Sequence, residues 1–285
     1  MNSLDITPEE IQSRRMTPEH LAAAVQALTE DGYVILNDVV EAAHLDILRD
    51  RMLEDVHAFM AREDAPYNFN SSNIQQDPPP FPPYLFRDVL LNDMAVAVTS
   101  AILGKGVKNT FYSGNTALHS TLRQPVHADM GQLWRGLEAG KAPPAYALVV
   151  NVPVVDISPL NGSTELWPGT HRDTSVSVHD DIKVSPEALE VWRAKSPPFQ
   201  PTMKRGGILI RDIRLWHAGM PNQTQQPRPM IAMIHYAWWM ESHSPLKFPK
   251  GTEAFFADSD LKVPATFVDE PIDYIHAPEA YDYQK

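Results

Sequence analysis

A chain of 285 residues without a single cysteine excludes disulfide staples, thiolate nucleophiles and cysteine-based metal sites. Acidic residues outnumber basic ones by 36 to 24, a net charge of −12, which argues against nucleic acid and anionic membranes as partners. No apolar run approaches a transmembrane length, and Met1-Asn2-Ser3-Leu4-Asp5 lacks a basic region followed by an apolar core, so a cytoplasmic protein is expected. Oligomeric state is left open.

Residues 1–16 are polar and are expected to be loosely attached. Thr17-Pro18-Glu19 starts a helix, with a capping hydroxyl, a proline in the first turn and an acid near the positive end. Leu21, Ala24, Val25 and Leu28 follow at helical spacing. Asp31-Gly32 stops this helix, and Tyr33 to Leu36 reads as a strand. A second helix runs from about Glu41 to Arg62, with Leu45, Ile47, Leu48, Met52, Val56 and Met60 as its apolar stripe. Residues 67–83 form a long loop rich in Asn, Gln and Pro, a length that often serves as a lid. Gln75 and Gln76 are its candidate substrate contacts, set against the plain reading of a solvent-facing loop. A third helix spans Asp93 to Leu103 and ends at Gly104.

From Val107 onward the pattern changes to short strands broken by Gly, Pro and Asn, at 107–118, 124–130, 145–153, 163–167, 206–211, 214–217 and 229–238. One helix, Pro186 to Lys195, interrupts them. This predicts a mainly β protein with helical additions, an antiparallel sandwich or barrel; the cupin-like double-sheet jelly roll is one such architecture. The expected organisation is one domain over 1–285: a helical N-terminal part (1–105) with the lid loop, a β core (106–240), and an acidic, Tyr- and Pro-rich C-terminal wrap (241–285).

Chemistry concentrates at Gln124-Pro125-Val126-His127-Ala128-Asp129. On an extended strand residues two apart share a face, so the His127 imidazole and the Asp129 carboxylate project into one cavity. Two such donors are two thirds of the 2-His-1-carboxylate triad that holds non-haem Fe(II) and leaves positions open for oxygen and a co-substrate. His-x-Asp also occurs at His44/Asp46, His171/Asp173 and His179/Asp181. His44 lies in a helical pattern, where residues two apart diverge. His171 and His179 fall in a polar stretch and read as surface residues. His127 alone sits between strand-like runs; a buried structural histidine is the competing reading.

Arg214-Leu215-Trp216-His217-Ala218-Gly219 supplies a second histidine, and Arg228 follows eleven residues after His217. If His217 completes the triad, the strand after the turn returns Arg228 to the same cavity. Its planar fork suits a carboxylate, and 2-oxoglutarate has a distal one to offer. In Asn161-Gly162-Ser163-Thr164, which opens on a turn pair, Thr164 offers a hydroxyl that could support that carboxylate, although the run by itself reads as a plain hairpin. Structural or surface roles for His217 and Arg228 stay open on these grounds alone. So do a non-catalytic cupin-like metal- or ligand-binding protein and a zinc hydrolase using the same three ligands.

Taken together, His127-x-Asp129, Asn161-Gly162-Ser163-Thr164 with Pro168-Gly169-Thr170-His171, and His217 with Arg228 resemble the phytanoyl-CoA dioxygenase-like family of Fe(II)/2-oxoglutarate oxygenases. The resemblance runs from Asp31-Gly32-Tyr33 to about Trp239. It implies a double-stranded β-helix core flanked by N-terminal helices, and Fe(II), 2-oxoglutarate and O2 as cofactors. His127, Asp129 and His217 would hold the metal, and Arg228, with Thr164 and Gln124, the co-substrate. Members that tailor secondary metabolites are the nearer match, which adds Asn115 and Trp134 to Gln75 and Gln76 as substrate contacts. One departure stands out: acyl-CoA hydroxylases of the family carry a serine two residues after the distal histidine, where this chain has Gly219.

Overall fold

The computed structural model describes residues 2–138, 141–241 and 245–279. Its first element corrects the expected loose tail. Strand β1 (Ser3–Asp5) runs parallel to β2 (Tyr33–Asn37), with Ser3 opposite Ile35. Between them, α1 (Pro8–Ser13) is held by a capping box in which Thr7 and Glu10 bond reciprocally. The Thr17 backbone N–H at 2.7 Å and the His20 ring at 2.9 Å also reach the Glu10 carboxylate. Burial alone would raise that carboxyl, but these donors outweigh it and bring it down to about 2. Their contribution to stability is full above the ordinary value of 4.5 and is lost as pH falls through about 2.

Helices α2 (Pro18–Glu30), α3 (Ala42–Met60), α4 (Arg87–Leu90) and α5 (Asp93–Leu103) follow, with β3 (Asn73–Gln75) emerging from the long loop. Thr17 Oγ1 accepts the His20 N–H at the start of α2, and Asn92 caps α5 in the same way. The rest of the chain gives β4 (Lys108–Ala117), β5 (Ala147–Pro153), β6 (Glu165–Leu166), α6 (Pro186–Lys195), β7 (Ile208–Asp212), β8 (His217–Ala218), β9 (Arg228–Tyr236), β10 (Leu246–Pro249) and β11 (Ala265–Val268).

Seven strands form the main sheet in the order β1-β2-β7-β5-β9-β4-β3. Its first and last strands come from residues before 105, so the N-terminal third supplies both edges. Side chains alternate across it. One face sends Leu148, Val150 and Val152 of β5, Ile208 and Ile210 of β7, and Ile231 and Met233 of β9 against α2, α3 and α5. Each such burial stabilises by about 1.5–3 kcal/mol. On α3 the buried stripe is Leu45, Leu48, Met52, Val56 and Phe59, whereas the expected Ile47 and Met60 are 42% and 40% exposed. Steps of three and four from Leu45 reach Phe59, and Ile47 and Met60 fall off that line. The C-terminal wrap also enters this core, through Phe248 and Leu261.

The opposite face carries Asn73, Gln75, Asn115, Arg228, Met230, Ala232, Ile234, Val149, Asn151 and Arg211 toward a smaller sheet. There β6 pairs β8, and single-residue bridges join Lys183 to His127, His127 to His217 and Leu166 to Phe199. The expected strand 124–130 is therefore not regular: its one ladder bridge among the described residues is at His127, with single backbone bonds from Gln124 to Gly219 and from Met130 to Ile213. Two sheets facing each other give the double-stranded β-helix. No described helix is long and apolar enough to cross a membrane.

Gly32, at the junction of α2 and β2, has φ +80°, and a Cβ there would lie 2.5 Å from the His171 Nδ1 atom. His171 is itself buried, contrary to the surface placement expected for it, because it packs under this turn and its Nε2 meets the Thr29 carbonyl at 3.2 Å. Gly32→Ala is expected to cost about 1–3 kcal/mol from backbone strain alone. A thermal melt that matched the parent protein would remove this reading.

Candidate active site

His127 and His217 face each other across the smaller sheet. Each backbone N–H donates to the other's carbonyl, at 3.0 and 2.9 Å. That register puts both side chains on one side, with ring centroids 4.3 Å apart. Asp129, two residues past His127, shares the face, as the spacing requires. Its Oδ1 lies 3.4 Å from the His217 Nε2 and 4.0 Å from the His127 Nε2. The donor atoms of the three side chains all fall within 4.8 Å of one another. They are the one group of this kind among the described residues.

The surroundings fit a divalent metal. The Nδ1 of His127 lies 2.9 Å from the Pro125 carbonyl, and that of His217 lies 2.9 Å from the Leu215 carbonyl. A carbonyl only accepts, so each Nδ1 carries the hydrogen and each Nε2 keeps its lone pair for a metal. Burial, then the neighbouring His217, pushes the His127 imidazole down to about 3, which keeps it neutral. Burial would raise the Asp129 carboxyl, but Arg211 and then His217 outweigh it and hold it well below the usual range. Two neutral nitrogens and one carboxylate oxygen are the donor set of the facial triad.

Arg211 is the residue that sequence reasoning missed. Its Nη2 donates to Asp129 Oδ2 at 2.6 Å and its Nε to Asn151 Oδ1 at 3.4 Å. Asp129 thus has one oxygen held and the other turned toward the histidines.

Arg228 opens on the same cavity and is 2% exposed. Its Nη2 donates to the Gly162 carbonyl at 2.6 Å, and its Nε to that of Asn161 at 3.4 Å. No carboxylate pairs with it among the described residues, and burial alone pulls the guanidinium down to about 10. A buried cation with only carbonyl partners fits an anionic ligand. Thr164, just past the turn that holds Arg228, lines the cavity, as does Gln124.

Gln124 also accounts for Gly219. The Gln124 Oε1 accepts the Gly219 N–H at 2.8 Å, and a Cβ at Gly219 would sit 2.6 Å from that oxygen. A side chain at 219 and the Gln124 amide compete for one place. Gly219→Ser is expected to displace Gln124 and cost about 1 kcal/mol for the lost bond, read as a lowered melting temperature.

The remaining sequence candidates divide. Gln75 and Asn115 line the cavity, joined by Asn68 and Asn73. Gln75 stands opposite Asn115, and Asn115 opposite Met230, one row from Arg228. Gln76 faces away: it is fully buried, its Nε2 donates to the Met52 carbonyl and its Oε1 accepts from Thr116, both at 2.6 Å. Trp134 is 54% exposed and does not line the cavity.

The model of the phytanoyl-CoA dioxygenase (PhyH) family matches residues 28–230. The chain belongs to that family. The donor set found here is the one that a non-haem iron centre of that family would need. Dioxygenase af480 of Aspergillus fumigatus is 24% identical over 216 residues, 74% of this chain and 64% of that protein, so the match spans less than two thirds of the relative. Among solved structures, EctD from S. alaskensis, determined with 2-oxoglutarate and 5-hydroxyectoine, superposes with a TM-score of 0.57 at 19% identity, covering 88% of each chain. SnoK, a non-heme alpha ketoglutarate dependent carbocyclase from nogalamycin biosynthesis, gives 0.54 at 17% identity over 78% of this chain and 84% of its own. At these identities the chain shares their fold.

Proposed function

We propose that this dioxygenase oxidises a small-molecule natural product in secondary metabolism, by hydroxylation, desaturation or ketone formation. In this reading His127, Asp129 and His217 bind the iron, and Arg228, aided by Thr164 and Gln124, pairs with the distal carboxylate of 2-oxoglutarate. The observation that carries it is a single cavity onto which three metal-type donors and an uncompensated buried guanidinium both open.

Bound iron, with 2-oxoglutarate and O2, supplies an oxidant able to take a hydrogen atom from carbon. The chain supplies orientation. The Pro125 and Leu215 carbonyls fix the two imidazoles, and Arg211 grips the carboxylate. The apolar wall of Val149, Ala232 and Ile234 limits water. The natural-product part draws support from the shared fold of SnoK. It also draws on the motifs Gln75-Gln76-Asp77-Pro78-Pro79, Tyr112-Ser113-Gly114-Asn115 and Arg214-Leu215-Trp216-His217, which resemble those of kanamycin B dioxygenase.

Adding Fe(II) and then 2-oxoglutarate without oxygen is expected to give a visible charge-transfer band, and admitting oxygen to release succinate. A protein that took up iron but gave neither would instead be the non-catalytic cupin-like binder.

A further inference from the structure

The wall that β3 and β4 give to the cavity carries no charged side chain. Asn73, Gln75, Phe111 and Asn115 line it, with Asn68 and Phe69 from the hairpin that leads into β3. The ionisable groups of the cavity, His127, Asp129, Arg211, His217 and Arg228, stand on other elements.

Two of these amides have free hydrogen-bonding groups. Gln75 and Asn115 stand opposite each other on adjacent strands, which puts their Cβ atoms about 5 Å apart. Gln75 is half-buried, and neither its Oε1 nor its Nε2 makes a hydrogen bond among the described residues; neither atom is sealed off from the cavity. The Asn68 Nδ2 donates to the Asn115 Oδ1, which leaves the Asn115 Nδ2 open in the same way. Gln76, one residue on, shows the contrast: both ends of its amide are bonded inside the protein. The sheet thus offers the cavity two donors and one acceptor, all neutral and all reachable.

A second feature points to the same place. Phe69 has φ +63°, a left-handed backbone that is an outlier for a side chain of this size. The chain around it is tied down. The Asn68 N–H donates to the Asn73 carbonyl at 2.9 Å, the Gln124 Nε2 to the Asn68 carbonyl at 3.3 Å, and the Asn70 Nδ2 to the Arg123 carbonyl at 3.1 Å. The result is a phenyl ring in the cavity, its centroid 4.4 Å from that of the His127 imidazole. Strain held by over-determined surroundings collects at ligand sites.

We propose that Gln75 and Asn115 form a substrate subsite for a neutral ring with adjacent hydroxyl groups, and that Phe69 supplies the apolar surface on which its C–H face rests. A hydroxyl donates, accepts and rotates to suit, so two neighbouring hydroxyls meet the amides of two adjacent strands. A lactam edge presents one donor and one acceptor and satisfies Gln75 alone. A cationic ring finds no carboxylate on this wall, and an acyl-CoA polyanion finds no cation. This rests on the proposed function and deepens it by naming the substrate class, an uncharged polyhydroxylated ring.

The test uses the protein loaded with Fe(II) and 2-oxoglutarate, without oxygen, and three probes built on a six-membered ring: 1,2-cyclohexanediol, 1,2-dimethoxycyclohexane and δ-valerolactam. Titration calorimetry is expected to rank the diol about tenfold tighter than either of the others, the margin of one or two neutral hydrogen bonds. Gln75→Met keeps the length of the side chain and removes both polar atoms. Because the Gln75 amide makes no bond within the protein, this variant is expected to melt at the parent temperature and to load Fe(II) as the parent does, while the diol preference falls to about threefold or less. Phe69→Ala is expected to weaken diol and diether alike, since the ring serves the carbon face they share. A lactam bound as tightly as the diol, equal affinity for diol and diether, no binding of any probe, an unchanged preference in Gln75→Met, or unchanged affinities in Phe69→Ala would each overturn the subsite. The charge-transfer band in the same samples reports on the oxygenase reading by itself, so its absence beside an intact diol preference would count against that reading alone.

Discussion

Asp129→Ala is expected to abolish iron loading and turnover together. The substitution removes one of three donors and the only negative charge among them. It also strands Arg211, whose Nη2 donates to that carboxylate at 2.6 Å. Removing one partner of a buried pair costs about 3–5 kcal/mol, because the remaining charge keeps its desolvation penalty without its compensation. What is left is a guanidinium facing two imidazoles, an arrangement that repels a divalent cation. Iron content by absorption spectroscopy and 2-oxoglutarate-dependent succinate release measure the two losses separately. Asp129→Asn controls for shape: it keeps the volume and an oxygen for Arg211, removes the charge, and is expected to load iron poorly while melting near the parent temperature. Full activity in Asp129→Ala would end the triad assignment.

Arg228→Ala is expected to raise the 2-oxoglutarate requirement far more than it lowers the maximal rate. The guanidinium is buried, has no acidic partner among the described residues, and is oriented by the carbonyls of Asn161 and Gly162. Truncating a buried hydrogen-bonded charge partner costs about 2–5 kcal/mol, which is about thirtyfold to a few thousandfold in affinity. Half-saturation measured by succinate release at rising 2-oxoglutarate reads this directly. Arg228→Lys, with a point charge in place of a planar fork, is expected to fall between the two. An unchanged requirement in Arg228→Ala would break the co-substrate assignment.

The centre of the site was legible because it obeys local rules. His127 and Asp129 are two apart, and a β geometry two residues long is all they need. His217 and Arg228 were legible only together, since each alone reads as a structural or surface residue. Arg211 escaped because Arg211-Asp212-Ile213-Arg214 looks like a charged strand end. Parity held the signal: Ile208 and Ile210 face the helices, so Leu209 and Arg211 must face the other sheet. The same parity separates Gln75 from Gln76, but a Pro-rich loop hides a strand of three residues. The N-terminal segment was misjudged for a different reason. Its Thr7-Pro8-Glu9-Glu10 start was readable, yet the value of β1 lies in pairing with β2, about thirty residues away. Non-local pairing leaves no trace in the short strand itself.

The reciprocal backbone bonds between His127 and His217 have a practical corollary. They draw the two imidazoles together through the main chain, so the ion does not have to gather them. Small zinc modules lack such scaffolding and come apart when stripped. Here a chelator should leave an intact, empty vessel, ready for cobalt or nickel as a spectroscopic stand-in.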